Sequence, residues 1–124
     1  RPRPDVALVR VEQLYPFPAQ ELVAVFKRYP GALDVRWVQE EPVNMGAWRH
    51  LRHRIEGVLP EGGALRVIAR GAASTPATGY YHMHIEQEKE LIMKTFAPVE
   101  PAPRPRASRR EPSAPAASRP GGAR

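Results

Sequence analysis

The chain has 124 residues, the size of one modest domain, and its 19 lysines and arginines against 13 acidic residues give a formal charge of +6. It has no cysteine, which excludes a disulfide framework, a thiolate nucleophile and a cysteine-based metal site. Its apolar runs are too short to span a bilayer. Its first residues do not show the pattern of a secretory signal, in which charged residues are followed by an apolar stretch and then by small residues.

Proline and arginine are concentrated at the two ends of the chain. Residues 1–4 read Arg-Pro-Arg-Pro and predict a short leader, and the absence of an initial methionine indicates a processed product or a fragment. Residues 98–124 contain seven prolines, six arginines and two acids, with Val99 as the one sizeable apolar side chain. Because such a composition cannot bury a core, we predict a disordered tail after a single domain over residues 5–97.

The first predicted strand is Asp5–Val11, which is nearly continuous in apolar character, as in a parallel strand covered on both faces. A proline-rich connector over residues 13–18 restricts the backbone and places Pro18 at the first position of a helix. That helix is predicted over Ala19–Tyr29, where large apolar side chains recur every three to four residues until Pro30-Gly31 ends it.

The second predicted strand is Asp34–Gln39, and Asn44 is the expected N-cap of a second helix. One apolar stripe of that helix consists of Trp48, Leu51, Ile55 and Val58, spaced to share a face. The opposite face is basic and consists of Arg49, His50, Arg52, His53 and Arg54. This asymmetry predicts a helix that packs on one side and meets solvent on the other.

A turn at residues 60–63 leads to a third predicted strand, Ala64–Ala69, and a loop of small residues to a third helix over Tyr81–Phe96. The apolar side chains that share one face of this helix are Tyr81, Ile85, Ile92 and Phe96. Glu90 and Lys94 form a favourable pair one turn apart. The alternation of strands and helices predicts an α/β fold with three layers around a mainly parallel, Rossmann-like sheet. Three strands leave open edges, so the domain is expected to be incomplete.

Ligands of open parallel sheets bind at the carboxyl ends of the strands, which here directs attention to the loops over residues 39–46 and 70–79. The residues that we single out there, as a candidate anion, effector or interface site, are Glu40, Glu41, Asn44, Gly46, Arg49, Arg66, Arg70 and Ser74. The alternative, which we favour, is that these groups cap the helix and pair with each other. Successive carboxylates in extended chain point to opposite faces, so Glu40 and Glu41 are a poor acid/base pair.

Catalytic chemistry is not predicted for this chain alone. Ser74 lacks the context of a nucleophile elbow, and neither a dinucleotide-binding nor a phosphate-loop glycine motif is present. His50 and His53 lie at metal-ligand spacing, but the surrounding arginines favour a solvated basic face. We therefore assign no catalytic, cofactor-binding or metal-binding residue. The basic tail lacks aromatic residues that would stack on bases, so nucleic-acid binding is also disfavoured.

Two longer motifs carry a resemblance to a known family. Residues 9–18, VRVEQLYPFP, and residues 37–48, WVQEEPVNMGAW, resemble the C-terminal region of the decarboxylating (first) component of 2-oxoglutarate dehydrogenase. Residues 70–79, RGAASTPATG, followed by His84 and the final helix, are similar to that family's last loop and helix. The resemblance extends from Asp5 to Phe96 and implies a C-terminal domain like that of transketolase.

The resemblance also implies a parent enzyme. That enzyme uses thiamine diphosphate and a divalent metal, usually magnesium, to decarboxylate 2-oxoglutarate, and it passes the succinyl group to a lipoyl-bearing succinyltransferase. Its cofactor sites lie in upstream domains, whereas the C-terminal domain supports the homodimer and in some members binds effectors such as acetyl-CoA. The implied location is the bacterial cytoplasm, or the mitochondrial matrix in a eukaryote, with no membrane partner.

The chain departs from the family pattern at both ends. The family's domain has an earlier strand and helix that would precede Asp5, and it ends soon after the helix near Phe96, so the tail is foreign to it. Three hypotheses follow: a structural C-terminal piece of the enzyme, which we prefer, a stand-alone module that binds CoA or a nucleotide, and a basic protein that interacts through its tail.

Overall fold

A computed structural model describes residues 3–99 of the chain; Arg1, Pro2 and most of the predicted tail, residues 100–124, lie outside the described residues. The helices and strands in chain order are α1 (Ala19–Arg28), β1 (Asp34–Pro42), α2 (Trp48–Glu56), β2 (Ala64–Arg70) and α3 (Tyr81–Thr95). All three predicted helices and the second and third predicted strands are confirmed, although α2 begins later than the sequence indicated.

The two strands form a parallel pair in which Asp34 lies opposite Ala64 and Trp37 lies opposite Val67. The register becomes irregular between Val38 and Pro42, and the pairing resumes where Pro42 lies opposite Arg70. Parallel strands need a crossover connection, and α2 supplies it. The α/β class is therefore confirmed, with two paired strands among residues 3–99.

The prediction of a first strand over Asp5–Val11 is wrong. This segment, which we call the arm, has no strand partner among the described residues, and Leu8 and Val9 are 79% and 49% exposed. A strand exists only where a neighbour accepts and donates its ladder of hydrogen bonds, and apolar character alone does not supply that neighbour. The arm thus has the residue composition of a β-strand but forms no strand in the described fold.

Helix α1 follows Pro18 and lies against the arm. Leu22 is its one buried residue, and an open cavity of about 230 Å³ between helix and arm is lined by side chains that include Val9, Val11 and Val25. The connector before α1 contains a cis peptide bond between Tyr15 and Pro16. The arm and α1 therefore form a shallow apolar cluster that remains open to solvent.

Helix α2 carries two of the best-buried side chains of the described fold, and Pro42 of β1 is fully buried as well. Leu51 is fully buried and Ile55 nearly so, whereas Trp48 and Val58 of the same stripe are only half-buried. The prediction that Asn44 caps this helix is wrong, because the N-cap is Ala47, whose side chain makes no capping hydrogen bond, and the side chain of Asn44 binds elsewhere. The helix begins at Trp48 because residues 42–47 fold into a tight loop around the side chain of Gln39.

Helix α3 lies on both strands, but none of its side chains is fully buried. Only part of the expected apolar stripe packs, since Ile85 and Phe96 are half-buried whereas Tyr81 is 80% and Ile92 50% exposed. The predicted pair of Glu90 and Lys94 is confirmed, with 2.7 Å between Oε1 and Nζ. No helix in the described part of the chain is long and apolar enough to cross a membrane.

Candidate functional site: a polar clamp at the carboxyl ends of the strands

The loop after β1 is organised by Gln39, which is only 7% exposed. Its Oε1 accepts hydrogen bonds from the indole Nε1–H of Trp37 at 2.9 Å and from the backbone N–H of Trp48 at 3.0 Å. Its Nε2 donates to the carbonyls of Met45 at 2.8 Å and Pro42 at 3.1 Å. One buried amide therefore satisfies both ends of the loop, as buried polar groups require.

Sequence reasoning missed Gln39, which we placed only as the last residue of a strand. The signal available was an uncharged amide directly before two glutamates and a turn containing Gly46. An amide has two donors and two acceptors and can bind a loop backbone on both sides, whereas a carboxylate can only accept.

Gly46 makes this arrangement possible. Its φ of +67° lies in the left-handed region, and a Cβ at this position would stand 2.9 Å from Gln39 Nε2. The backbone at Gly46 thus lies close against the side chain of Gln39. No ligand is needed to explain the glycine.

Asn44 joins the two loops. Its Nδ2 donates to the carbonyl of Ala73 at 2.9 Å, and the N–H of Ala73 donates to its Oδ1 at 3.1 Å. The backbone N–H of Val43 also donates to the carbonyl of Arg70 at 3.0 Å. The reciprocal amide contact replaces the capping role expected for Asn44 and ties residues 43–44 to the loop after β2.

Arg70 occupies the centre of the same edge. Its Nε donates to the carbonyl of Glu40, its Nη2 donates to the carbonyl of Pro76, and its Nη1 lies 3.4 Å from Oε1 of Gln87 on α3. The expected ion pairing of Arg70 with a glutamate carboxylate is replaced by bonds to backbone carbonyls. The guanidinium therefore uses its N–H donors to connect the loop after β1, the loop after β2 and helix α3.

The remaining candidate residues divide into two groups. Glu40, Glu41, Arg49 and Ser74 are exposed on or beside the same loops. Arg66 lies near the other end of β2, opposite Arg36, and its Nε is 2.9 Å from Oδ1 of Asp34. The structure thus brings Glu40, Glu41, Asn44, Gly46 and Arg70 to one edge of the sheet, and it places Arg66 outside that cluster.

The basic face of α2 contains one acidic residue. Glu56 accepts a hydrogen bond from Nε of Arg52 at 2.9 Å and lies 3.4 Å from Nδ1 of His53. The hydrogen bond from Arg52, with a smaller contribution from His53, lowers the pKa of the Glu56 carboxyl. This exposed ion pair compensates part of the helix charge.

The cluster at the strand ends is a structural clamp. Gln39 already accepts from the first N–H of α2, and Arg70 and Asn44 bind backbone groups, so the strongest donors are used within the fold. The buried amide of Gln39 fixes the loop after β1 because its groups would be costly to leave unpaired, whereas the hydrogen bonds of Asn44 and Arg70 are exposed to solvent. Binding of an anion or effector at this edge stays a prediction.

The cofactors implied by the resemblance do not fit the described residues. Residues 3–99 contain no group of three or more histidine, cysteine, aspartate or glutamate side chains that could hold a metal ion. Magnesium prefers several oxygen ligands in near-octahedral geometry, which the exposed Glu40 and Glu41 do not assemble. We derive no catalytic step through thiamine diphosphate or magnesium in this chain.

Comparison with known proteins agrees with the motifs. The family model described as "2-oxoglutarate dehydrogenase C-terminal" matches residues 1–96. A "2-oxoglutarate dehydrogenase E1 component" from Cupriavidus necator is 44% identical over 93 residues, 75% of this chain and 10% of that protein. Proteins with the same name from Haemophilus influenzae and Azotobacter vinelandii are each 42% identical, over 88 residues (71% of this chain, 9% of that protein) and 97 residues (76% and 10%).

The chain thus spans about a tenth of the length of the relatives that it matches. The family match covers the whole segment that carries the sequence motifs and all five helices and strands. The chain belongs to the family of 2-oxoglutarate dehydrogenase C-terminal domains.

Proposed function

We propose that this chain serves as the C-terminal domain of the decarboxylating component of a 2-oxoglutarate dehydrogenase, where it supports the enzyme's structure and performs no catalysis itself. The parent reaction would be oxidative decarboxylation of 2-oxoglutarate with transfer of the succinyl group to a lipoyl-bearing partner. Thiamine diphosphate and magnesium would be bound by other parts of that enzyme.

The exposed arm carries this proposal. Residues 5–11 have the composition of a buried strand, yet Leu8 is 79% exposed and the arm pairs with no strand among residues 3–99. Large apolar side chains exposed together mark surfaces that another protein segment covers. The covering segment that we propose is the strand and helix that precede the arm in the parent enzyme.

The small core supports the same proposal. The buried apolar side chains of the described fold are Leu22, Pro42, Leu51 and Ile55. A single domain of about a hundred residues ordinarily buries well over half of the surface of its unfolded chain, which requires a larger core. Contact with the rest of the parent chain and with a second copy in a homodimer would supply it.

The proposal includes further partners and a location. In the complex, the parent would work with the lipoyl-bearing succinyltransferase, and acetyl-CoA is the effector that we would test first at the strand ends. The enzyme would act in the bacterial cytoplasm, or in the mitochondrial matrix if the source is eukaryotic. The stand-alone CoA or nucleotide module and the basic-tail interaction protein remain alternatives, and the engagement of Arg70 within the fold disfavours the first of them.

A chimaera tests the proposal directly. The C-terminal segment that matches this chain in the Cupriavidus necator protein would be deleted, or replaced by residues 1–96 of this chain. We expect the deletion to abolish soluble, thiamine diphosphate-dependent decarboxylation of 2-oxoglutarate, and the replacement to restore it. A deletion that keeps full activity, or a replacement that remains insoluble, would contradict the proposal.

One pair of variants sharpens this test. Leu8→Asp should leave the melting temperature of the isolated chain unchanged, because the side chain is already exposed, but it should prevent restoration in the chimaera. Arg54→Asp, on the exposed basic face of α2, is the matched control and should permit restoration. Equal restoration by both variants would show that the arm is not covered in the enzyme.

A further inference from the structure

Helix α3 is attached to the sheet differently from α2. Its partly buried side chains include Ile85, Gln87 and Leu91, and none of its fifteen residues is fully buried. In α2, by contrast, Leu51 and Ile55 are buried against the sheet. Apolar burial therefore contributes less to holding α3 than to holding α2.

Arg36 of β1 supplies the strongest polar attachment of α3. Its Nη1 donates to the carbonyl of Thr95 at 2.7 Å and to that of Lys94 at 3.1 Å. The last carbonyls of a helix lack partners within the helix and lie at the negative end of its dipole, so a guanidinium is a well-matched partner. Arg36 thus holds the C-terminal end of α3 on the sheet.

Among residues 3–99, the other polar contacts that α3 and its C-cap, Phe96, make with the rest of the chain are longer. Arg70 Nη1 is 3.4 Å from Oε1 of Gln87, and Arg3 Nη1 is 3.4 Å from the carbonyl of Phe96. Contacts of this length are weak hydrogen bonds. Within the described part of the chain, the short polar contacts of α3 are therefore concentrated at Arg36 of β1.

Arg36 does not depend on α3 for its charge partner. Its Nε lies 2.6 Å from Oδ2 of Asp34, and Asp34 also pairs with Arg66 of β2. Because this network belongs to the sheet, departure of α3 would leave Arg36 paired. An uncompensated buried charge, which is the usual cost of breaking such a contact, would not arise.

The short connection between the clamped loop and α3 permits movement. Ala73 and Pro76 are held by Asn44 and Arg70, whereas Ala77, Gly79 and Tyr80 are exposed, and a Cβ at Gly79 would meet nothing within 4 Å. An exposed connection with few contacts belongs to the part of a fold that opens at low free energy.

We propose that α3 is a detachable element, latched by Arg36, which leaves the sheet as one unit while β1, β2 and α2 remain folded. This goes beyond the proposed function and does not depend on it. The opening is a local equilibrium whose population is set by the contact of Arg36 with the carbonyls of Lys94 and Thr95.

Hydrogen exchange of the full chain, followed by mass spectrometry, tests the proposal. In the unmodified chain, the amides of α3 should exchange at least about tenfold faster than the paired amides of β1 and β2. Arg36→Ala should accelerate exchange in α3 by about a further tenfold and leave the strands unchanged. Arg36→Lys, which keeps the charge but loses the forked donor, should have a smaller effect.

Arg52→Ala is the matched control, because it removes an exposed arginine whose partner Glu56 lies on its own helix, α2. It should leave exchange in α3 unchanged. Three results would overturn the proposal: equal exchange of α3 and the strands in the unmodified chain, equal acceleration of both by Arg36→Ala, or rapid exchange throughout residues 3–99. The first comparison needs no variant, so a variant that fails to fold does not affect it.

Discussion

The two halves of the described fold use similar sequence patterns with different results. The half formed by β1, α2 and β2 buries Leu51 completely, and Gln39 hydrogen-bonds the backbone of the loop between β1 and α2. The half formed by the arm and α1 leaves Leu8 exposed beside an open cavity. An apolar pattern becomes a core only where a partner element covers it, and in the first half that partner is close in sequence.

The largest expected effect comes from removing the centre of the well-packed half. Leu51→Ala should lower the free energy of unfolding by about 2–5 kcal/mol, because it leaves a cavity in a fully enclosed site. Leu22→Ala should cost about half as much, since the cavity beside Leu22 is already open to solvent. Urea denaturation of both variants measures the difference, and equal losses would remove the contrast between the two halves.

Gly46→Ala tests the clamp around Gln39. Alanine must adopt a φ of +67° and displace Gln39 Nε2 from 2.9 Å, so we expect a loss of about 2–4 kcal/mol in the free energy of unfolding. Gly62 is the matched control, because it has a φ of +76° but open space around its Cβ position. Gly62→Ala should cost only about 1 kcal/mol, the backbone strain alone. A Gly46 variant no worse than the Gly62 variant would argue against the clamp.

Trp48→Ala should have a smaller effect than its size indicates. The sequence alone gives a cost of about 3–5 kcal/mol if this side chain is fully buried. Trp48 is instead half-buried, with Arg52 over its ring at 5.9 Å, so we expect a loss of about 1–2 kcal/mol by urea denaturation. A loss as large as that of Leu51→Ala would place Trp48 in the core after all.

The smallest effect concerns the start of the arm. A hydrogen bond from the Arg3 guanidinium, with a backbone hydrogen bond, lowers the pKa of the Asp5 carboxyl to about 2. Because the folded pKa lies below the ordinary value of about 4, the contact stabilises above pH 4 and is lost as pH falls from about 4 to 2. Asp5 is exposed, so the effect on stability is small.

Nuclear magnetic resonance can follow the Asp5 carboxyl through this pH range. Arg3→Ala should raise the pKa of Asp5 toward its ordinary value, because the larger of the two hydrogen bonds is lost, whereas Arg10→Ala should leave it lowered. An ordinary pKa in the unmodified chain would show that the Arg3 contact is not populated.

Local patterns of the sequence predicted the helices and the two paired strands. Pro18 and Pro30 bracket α1, and the stripe through Leu51 and Ile55 correctly identified the packing face of α2. These features depend on neighbours within a few residues, which a sequence displays directly.

Features that depend on distant partners could not be predicted. The arm reads as a strand, but strand formation needs a partner that its own sequence does not specify. The clamp depends on hydrogen bonds that join Gln39 to Met45 and Trp48, and Asn44 to Ala73. No repeating pattern of residues in the sequence indicates such contacts. The role of Asn44 was therefore mistaken for a helix cap, although its place at the strand ends was foreseen.

We propose that the arm becomes a strand in the parent enzyme. Hydrogen exchange at the amides of residues 6–11 measures this most directly, in the isolated chain and in the chimaera with the Cupriavidus necator enzyme. We expect unprotected amides in the isolated chain and amides as well protected as those of β1 in the chimaera. Protection in the isolated chain, or its absence in an active chimaera, would contradict it.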